Sequence, residues 1–365
     1  MARQLCRFGI LGTANIARKN WDAIRNSGNA ALVAIGSRNR QRAEQFIAEC
    51  QASAPFAQAP QALDYERLIA SRDIDAIYIP LPTGMRKEWV MRAAAAGKHV
   101  LCEKPCACSA PEVAEILDAC RANGVQFMDG VMFMHSSRLA SMRQSLDDGA
   151  SVGDIRRIMS QFSFLGSEEF FLKNIRTSHE LEPLGCLGDL GWYNIRFSLW
   201  AMKYQLPVKA SGRILTAAGQ GSAGQVPIEF AGELIFDGGR SAGFYCSFNA
   251  ENQQWAIVSG TKGALHVQDF VLPFYGSDAT YSVSQPHFEV RGCQFNMEGR
   301  EQQYSIPEYS NNAPDSQETH LFRRFAELVL SGQPDPIWGE IALKTRKVVD
   351  ACLKSARQDG TLVSV

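Results

Sequence analysis

The sequence has no long hydrophobic run and no excess of either charge. Its apolar stretches are interrupted well before the roughly 20 residues that a membrane-spanning helix needs. The 37 basic and 38 acidic side chains leave a formal net charge of -1, which gives no overall electrostatic attraction to nucleic acid or an anionic membrane. We therefore predict no membrane or nucleic-acid partner, and expect the partner to be a small molecule or another protein.

A secretory start and a metal-binding cysteine pattern are also missing. No apolar signal-peptide core follows Met1, and a strand-like run begins by Cys6. The ten cysteines contain no C-x-x-C pair, although Cys102, Cys106 and Cys108 lie close together in the chain. We expect reduced, mostly buried thiols in a cytoplasmic protein, and no metal site.

The chain is long enough, at 365 residues, for two domains. Short apolar runs alternate with helical stretches from Cys6 to about residue 128, a pattern that predicts a parallel sheet with helices on both faces. Strands dominate from Ile155 to Val267, with a helix from about Asp189 to Met202. We predict an α/β protein with one domain at 1–128 and an α+β domain with an open, mostly antiparallel sheet at 129–365. The C-terminal helices of the second domain are expected to pack back on the first.

A glycine turn follows the first strand and opens a helix. The turn fits G-x-G-x-x-G/A with alanine at the second glycine position, and its residues are Gly12, Thr13, Ala14, Asn15, Ile16 and Ala17. In this position the pattern predicts a tight turn that lets a pyrophosphate approach the backbone, and hence a Rossmann dinucleotide-binding domain. The alternative is a strand–helix turn that binds no ligand.

The end of the second strand indicates which dinucleotide binds. An acidic residue there would accept hydrogen bonds from the ribose hydroxyls of NAD, but none is present. Ser37, Arg38 and Arg42 are instead suited to a 2′-phosphate, because guanidinium groups form bidentate hydrogen bonds with phosphate. We predict NADP as the cofactor, with NAD as the alternative; a solvated helix start is the competing explanation for the arginines.

Two further motifs carry a family resemblance. The fourth strand leads into Glu103-Lys104-Pro105, and a glycine-rich stretch beginning at Gly185 leads to Asp189 and Tyr193, four residues apart. In this order the motifs resemble the glucose-fructose oxidoreductase/inositol dehydrogenase/rhizopine catabolism (Gfo/Idh/MocA) family. The tyrosine variant is similar to its glucose-fructose oxidoreductase, dimeric dihydrodiol dehydrogenase and xylose dehydrogenase branch.

The resemblance implies roles for these side chains. Tyr193 is expected to donate and accept the proton of a substrate hydroxyl, although free tyrosine has a pKa of about 10. Lys104 is expected to act as its electrostatic partner, since an ammonium favours tyrosinate and stabilises a developing alkoxide. Asp189 would orient these groups or fix the substrate. Glu103 is expected on the cofactor side, and the Lys104–Pro105 bond is a candidate for the cis form.

Further contacts are implied along the chain. Leu81, Pro82 and Thr83 follow the third strand and resemble the nicotinamide-ribose contact of the family. Many relatives carry histidine three positions later, where this chain has Arg86. His135 and Arg176 are expected to contact the substrate. An extended surface loop, a packed histidine and a solvated loop, respectively, are the alternatives.

Together these features predict an NAD(P)-dependent oxidoreductase. It would transfer a hydride between nicotinamide and a hydroxyl or keto carbon of a sugar, an anhydrosugar or a cyclic trans-diol. The resemblance also implies a homodimer or higher homo-oligomer, formed through the sheet of the second domain. One alternative is a glycoside-cleaving enzyme that uses a tightly bound nicotinamide cofactor for transient oxidation and elimination. Another is a non-catalytic nucleotide-binding regulator.

Overall fold

The computed structural model describes residues 4–219 and 224–365. The chain divides into two compact units. The first consists of the residues up to His135, Glu180–Pro183 and Asn311–Arg346, and the second of Ser136–His179, Leu184–Ser310 and Lys347–Val365. This division differs from the predicted boundary between 128 and 129, because two later segments return to the first unit.

The first unit is built on a six-stranded parallel sheet with helices between the strands, as the alternating pattern predicts. Its strands are β1 (Cys6–Leu11), β2 (Ala30–Gly36), β3 (Gln61–Leu63), β4 (Ala76–Ile79), β5 (His99–Cys102) and β6 (Phe127–Asp129). Its first five helices are α1 (Asn15–Asn26), α2 (Arg40–Ser53), α3 (Tyr65–Ala70), α4 (Thr83–Ala95) and α5 (Ala110–Ala122). In the strand order β3-β2-β1-β4-β5-β6, the chain adds β2 and β3 on one side of β1 and then crosses to add β4, β5 and β6 on the other side, so the connections reverse between β1 and β4. Ligands of such sheets bind outside the carboxyl ends of the strands at this reversal.

Local capping explains where most of these helices begin. The side chains of Asn39, Asp64 and Ser109 each accept a backbone N–H from the first turn of α2, α3 and α5. α4 is preceded by Pro82 and has no such side-chain cap. No side chain of the neighbouring sequence therefore marks the start of α4 at Thr83.

The second unit contains a nine-stranded sheet in the order β16-β13-β12-β11-β7-β10-β9-β8-β17. All neighbouring strands are antiparallel except β7 and β10, so the predicted mostly antiparallel sheet is confirmed. The strands up to residue 267 are β7 (Ile155–Leu165), β8 (Lys209–Ala218), β9 (Val226–Ile235), β10 (Ser241–Ser247), β11 (Asn249–Gly260) and β12 (Ala264–Val267). The helices of this part are α6 (Arg138–Asp147), α7 (Glu168–Lys173) and α8 (Trp192–Ala201).

Four strands between residues 268 and 310 were not predicted from the sequence. These are β13 (Asp278–Ser284), β14 (His287–Arg291), β15 (Gln294–Glu298) and β16 (Glu301–Pro307). β14 and β15 form a separate hairpin whose residues are all exposed. The hairpin therefore lacks the alternation of buried and exposed positions on which strand prediction depends.

The C-terminal helices are α9 (Gln317–Ser331) and α10 (Ile337–Ala356), and a short strand β17 (Val363–Ser364) pairs with β8. α9 packs on the sheet of the first unit. The centroid of the Phe322 ring lies 5.7 Å from that of the Phe8 ring and 5.5 Å from that of the Tyr78 ring. In the described parts of the chain, no helix is long and apolar enough to cross a membrane. The same parts hold no group of three or more His, Cys, Asp or Glu side chains arranged to bind a metal ion.

Candidate active site

The glycine turn at the end of β1 has the geometry that close approach of a phosphate requires. Gly12 has a φ of +123°, which L side chains rarely adopt, and a Cβ at this position would lie 3.1 Å from Leu81 Cδ2. The Gly12 N–H donates to Gly36 O over 2.9 Å and fixes the turn beside β2. α1 then begins at Asn15 without a side-chain cap from Ala14. A helix N-terminus of this kind offers backbone N–H groups to an anion.

The predicted phosphate-binding arginines lie next to this turn. Arg38 and Arg42 are exposed, whereas Ser37 is buried at the end of β2. Burial raises the pKa of the Tyr65 hydroxyl, while the charges of Arg38 and Arg42 and a hydrogen bond with Arg38 act against that rise. The same hydroxyl lies 3.9 Å from the position that a Cβ on Gly12 would take. Within residues 4–219 and 224–365, no carboxylate forms an ion pair with either guanidinium. Two positive charges therefore stand beside the turn, without a carboxylate partner in those parts of the chain.

Thr83 is held inside the first unit by Glu182. The Thr83 hydroxyl donates to Glu182 Oε2 over 2.5 Å, and its N–H donates to Glu182 Oε1 over 3.0 Å. A carboxylate 99 residues away in sequence thus caps α4, which explains why this helix begins at Thr83. The Thr83 side chain is buried against Glu182, Leu81 is buried as well, and Pro82 is partly exposed. The contact of these three residues with the nicotinamide ribose stays a prediction.

Glu103 is fixed by a buried chain of hydrogen bonds. The Tyr78 hydroxyl donates to Glu103 Oε1 over 2.6 Å, and Asn20 Nδ2 donates to the same hydroxyl over 2.6 Å. Burial, followed by the adjacent carboxylate, raises the pKa of Tyr78 well above its usual value, so the hydroxyl stays protonated and donates. Lys104 follows directly and is half-buried, and the Lys104–Pro105 bond is cis. The segment that carries the predicted cation is therefore anchored from α1 through β4.

His135, a predicted substrate contact, is packed within the first unit. Its ring stacks on that of Trp338, with centroids 4.7 Å apart and planes 16° apart. Its carbonyl oxygen lies 3.2 Å from Nδ1 of His320. These contacts favour the alternative of a packed histidine over a substrate-binding role.

In the second unit, the glycine-rich stretch turns tightly against β9. Gly185 has a φ of +48°, and a Cβ there would lie 2.1 Å from Pro227 O, so a side chain at this position would collide with the backbone. Cys186 follows, fully buried, with its Sγ 4.0 Å from that of Cys246. Burial raises the pKa of the Cys186 thiol, which therefore stays neutral.

The predicted catalytic residues of the second unit follow this turn. The expected continuous helix is a π-helical turn (Leu187–Gly191) followed by α8, and such turns occur frequently at functional sites. Asp189 lies in the π turn, and its Oδ2 accepts a hydrogen bond from Arg176 Nε over 2.7 Å. Asp189 is 17% exposed and Arg176 44% exposed, so the ion pair is open to solvent. Asp189, predicted to orient the catalytic groups, and Arg176, predicted to contact the substrate, therefore form one ion pair.

Tyr193 stands in the first turn of α8. It is 5% exposed, and its ring packs edge-on against Phe162 of β7 with centroids 5.5 Å apart. The next residue, Asn194, is buried, and its Nδ2 donates to Ser160 Oγ of β7 over 3.0 Å. The β-sheet thus fixes both the ring of Tyr193 and the helix that carries it.

A parallel sheet with a glycine turn after its first strand, followed by a large mostly antiparallel sheet, is the arrangement expected of a two-domain oxidoreductase that uses a nicotinamide dinucleotide. Residues 6–131 match an oxidoreductase family with an NAD-binding Rossmann fold, GFO/IDH/MocA. Residues 139–266 match the C-terminal domain of the same family. The chain belongs to the Gfo/Idh/MocA oxidoreductase family.

Individual relatives support this assignment. A dTDP-3,4-didehydro-2,6-dideoxy-alpha-D-glucose 3-reductase of Actinomadura kijaniata is 27% identical over 96% of both chains. A D-xylose 1-dehydrogenase (NADP(+)) of Haloferax volcanii is 30% identical over 76% of this chain and 80% of the relative. Among solved structures, a 3-ketoreductase from A. kijaniata in complex with NADP and TDP-benzene has a TM-score of 0.78. That structure is 23% identical and covers 96% of this chain and 98% of its own, so it supports the shared fold.

These findings confirm the predicted fold class, the family and an NAD(P)-dependent dehydrogenase or reductase. The individual site residues stay predictions, to which the structure adds their surroundings. The structure also places three further residues beside the predicted site residues, namely Tyr65, Glu182 and Arg86, to which the sequence had assigned no role. Glu182 and Tyr65 had no sequence signal, since each acts on residues distant in the chain, whereas Arg86 was conspicuous as a departure from the family pattern.

Proposed function

We propose that the protein is an NADP-preferring oxidoreductase that interconverts a hydroxyl and a keto carbon of a carbohydrate-like substrate. The pair Arg38 and Arg42 carries the cofactor part of this proposal, since both lie near Gly12 and no acidic side chain occurs from Ser37 to Arg42. A guanidinium pair favours a 2′-phosphate over a free ribose hydroxyl. The relatives that act on sugars, including the NADP-dependent xylose dehydrogenase, support the substrate class.

The catalytic roles follow from the surroundings of each side chain. When bound, nicotinamide supplies the acceptor or donor of a hydride. We assign Tyr193 as the proton donor and acceptor for the substrate oxygen, since the packing of its ring on Phe162 fixes the position of its hydroxyl. Lys104 is assigned as the cation that stabilises a developing alkoxide. In oxidation the phenolate form of Tyr193 accepts the proton of the substrate hydroxyl, and in reduction the phenol returns it to the substrate oxygen.

The Arg176–Asp189 pair is the proposed binding group for substrate hydroxyls. Its carboxylate accepts hydrogen bonds from hydroxyl groups, and its guanidinium donates to hydroxyl or carbonyl oxygens. Neighbouring hydroxyls of a sugar or cyclic diol offer both kinds of partner at once. Because the pair is open to solvent, the substrate has only to displace water from it. His135, which is stacked on Trp338, takes no part in this proposal.

A substrate screen tests the proposed function. Purified protein is incubated with NADP⁺ or NAD⁺ and a panel of aldoses, anhydrosugars and trans-dihydrodiols, and with NADPH or NADH and keto-sugars, including nucleotide-linked ones. We expect a change at the absorbance band of reduced nicotinamide, larger with NADP(H) than with NAD(H). Cleavage of glycosides without net change in the cofactor would support the glycoside-cleaving alternative. Binding of cofactor without turnover of any substrate would support the regulator.

We also propose that the sheet of the second unit forms a homodimer interface. Met159 of β7 is 36% exposed, and its partner across the sheet, Ile257 of β11, is only partly buried. Trp255 and Tyr245 flank Gln161 on the same face and are also partly buried, which produces an apolar strip across three central strands. Burying such a strip between two copies of this chain would remove it from water.

Sedimentation equilibrium tests the assembly. The wild-type protein is expected at twice its chain mass of 40.2 kDa, and a Met159→Lys variant at the mass of one chain. A wild-type protein that stays monomeric at micromolar concentration would refute the dimer. Lys262→Ala serves as the control, because Lys262 lies in the exposed turn between β11 and β12 and has no neighbour in the strip.

We further propose a cytoplasmic location. All ten cysteines are free, and Cys186 and Cys246 remain unlinked although their sulfur atoms are 4.0 Å apart. Free thiols in this number are typical of a reducing compartment.

A further inference from the structure

Arg86 contacts four groups near the predicted nicotinamide side of the first unit. Its Nε donates to Leu81 O over 2.7 Å, and its Nη1 donates to Thr83 Oγ1 over 2.9 Å. The same Nη1 donates to Pro105 O over 2.5 Å. Nη2 lies 3.9 Å from Glu182 Oε1. One guanidinium thus joins the end of β4, the start of α4 and the residue directly after Lys104.

The burial of Arg86 makes these contacts energetically important. Its side chain is 7% exposed and that of Glu182 is 14% exposed, so a charge has been taken out of water with a carboxylate close by. A buried charge without partners is costly, so the groups that bind this guanidinium stabilise the fold around it. The bonds to Leu81 O, Thr83 Oγ1 and Pro105 O satisfy both Nε and Nη1 of the guanidinium. The segments that Arg86 joins are therefore held rigidly with respect to one another.

The chemistry of the contacts requires an arginine. A planar guanidinium has five N–H groups directed outward in a fixed fork, whereas lysine has one ammonium and neutral histidine a single ring N–H. The carbonyls of Leu81 and Pro105 accept hydrogen bonds from two different nitrogens of Arg86, an arrangement that the single nitrogen of a lysine ammonium cannot reproduce.

We infer that Arg86 is a positioning residue for the reaction: it holds Lys104 in register with the Leu81–Pro82 segment. This inference rests on the proposed function of Lys104 as the cation at the reacting oxygen. Pro105 O accepts the Arg86 N–H one residue beyond Lys104, so the backbone that carries the ammonium cannot shift without breaking this bond. A displacement of about 1 Å in a catalytic group can reduce the rate by about 10²-fold.

Arg86→Lys is the decisive variant, since it keeps the positive charge beside Glu182 and removes the fork. We expect kcat to fall by about 10²-fold with the holoenzyme and its best substrate, while the dissociation constant of NADPH changes less than threefold. In the cofactor-bound protein, hydrogen exchange at the amides of residues 83–86 and 103–108 is expected to become faster. A purely structural role would lower the melting temperature without this separation of kcat from cofactor affinity.

Arg323→Lys is the matched control. Arg323 is a partly buried arginine of the same unit that donates to Ser27 O over 2.9 Å and to Pro314 O over 2.6 Å. Its loss removes guanidinium–carbonyl bonds of the same kind without touching the segments at 81–83 and 103–105. We expect unchanged kcat and unchanged exchange at residues 103–108 in this variant.

The outcomes separate this inference from the proposed function. If Arg86→Lys keeps both wild-type kcat and wild-type exchange at 103–108, the positioning role is refuted. If the wild-type protein binds NADPH but turns over no substrate, the proposed function fails, while the exchange measurement still decides whether Arg86 holds the two segments. Faster exchange only in Arg86→Lys supports the positioning, and equal exchange in Arg86→Lys, Arg323→Lys and wild type refutes it.

Discussion

Replacing Tyr193 with phenylalanine is expected to lower kcat by about 10²–10⁴-fold, the usual contribution of a general acid or base. The phenyl ring keeps the edge-on contact with Phe162, so the variant loses only a hydroxyl group. The KM for the substrate is expected to change little, because the hydroxyl acts mainly on the proton that moves in the transition state. Steady-state kinetics at saturating cofactor, with circular dichroism to verify folding, measures the effect.

Tyr245→Phe provides the control for this prediction. Tyr245 lies in the same unit on β10, and its hydroxyl donates to Glu229 Oε1 over 2.6 Å. Removing that hydroxyl costs one hydrogen bond to a carboxylate but no proposed catalytic group, so kcat should stay within about twofold of wild type. Comparable activity in Tyr193→Phe and Tyr245→Phe would eliminate Tyr193 as the proton donor.

A variant of Lys104 tests whether Lys104 and Tyr193 act in the same step of the reaction. Lys104→Met keeps the length of the aliphatic chain and removes the ammonium. If Lys104 and Tyr193 act on one substrate oxygen, the double variant should be scarcely slower than the more damaged single variant, since groups that act as a unit are strongly non-additive. If the loss of kcat in the double variant equals the product of the two single losses, Lys104 and Tyr193 act independently.

Neutralising Arg38 and Arg42 together is expected to raise the dissociation constant of NADP by at least about 10²-fold. A hydrogen bond to a charged group contributes about 1.5–3 kcal/mol, and each 1.4 kcal/mol corresponds to a tenfold change in affinity. The affinity for NAD should stay within about threefold, because NAD has no 2′-phosphate. Isothermal titration with both cofactors on the Arg38→Ala/Arg42→Ala variant measures this change in preference.

Arg40 offers a control on the same helix start. It is well exposed and its Nε donates to Glu44 Oε1 over 2.8 Å, so its charge is already partnered within α2. Arg40→Ala removes one positive charge from the same region and should leave both affinities nearly unchanged. If the double variant loses the same amount of affinity for NADP and for NAD, the arginines support the fold rather than select the 2′-phosphate.

Local patterns sufficed for much of the first unit. Strands and helices alternate there as predicted, because the apolar runs and their flanking caps are adjacent in sequence. The start of α4 could not be predicted, because Glu182 caps it from 99 residues away. The π-helical turn around Asp189 and the packing of His135 against Trp338 likewise depend on tertiary contacts that no window of the sequence contains.

The candidate site divides in the same way. Gly12, Lys104, Asp189 and Tyr193 are recognisable because each stands in a short motif with fixed spacing. The partners that orient them are not in those motifs: Arg176 is predicted only as a loop cation, and its bond to Asp189 needs the folded loop. Arg86 shows the converse case, in which a departure from the family pattern marks a residue with an unusual number of contacts.

The anchoring of Glu182 leads to an expectation about the substrate range of this protein. The chain between β7 and α8 is fixed at its end, where Glu180–Pro183 belong to the first unit. Its earlier part carries Leu172 and Ile175, both largely exposed. A combinatorial library that varies Leu172 and Ile175 while retaining Glu182 should therefore yield folded enzymes with new specificities far more often than one that varies the whole loop.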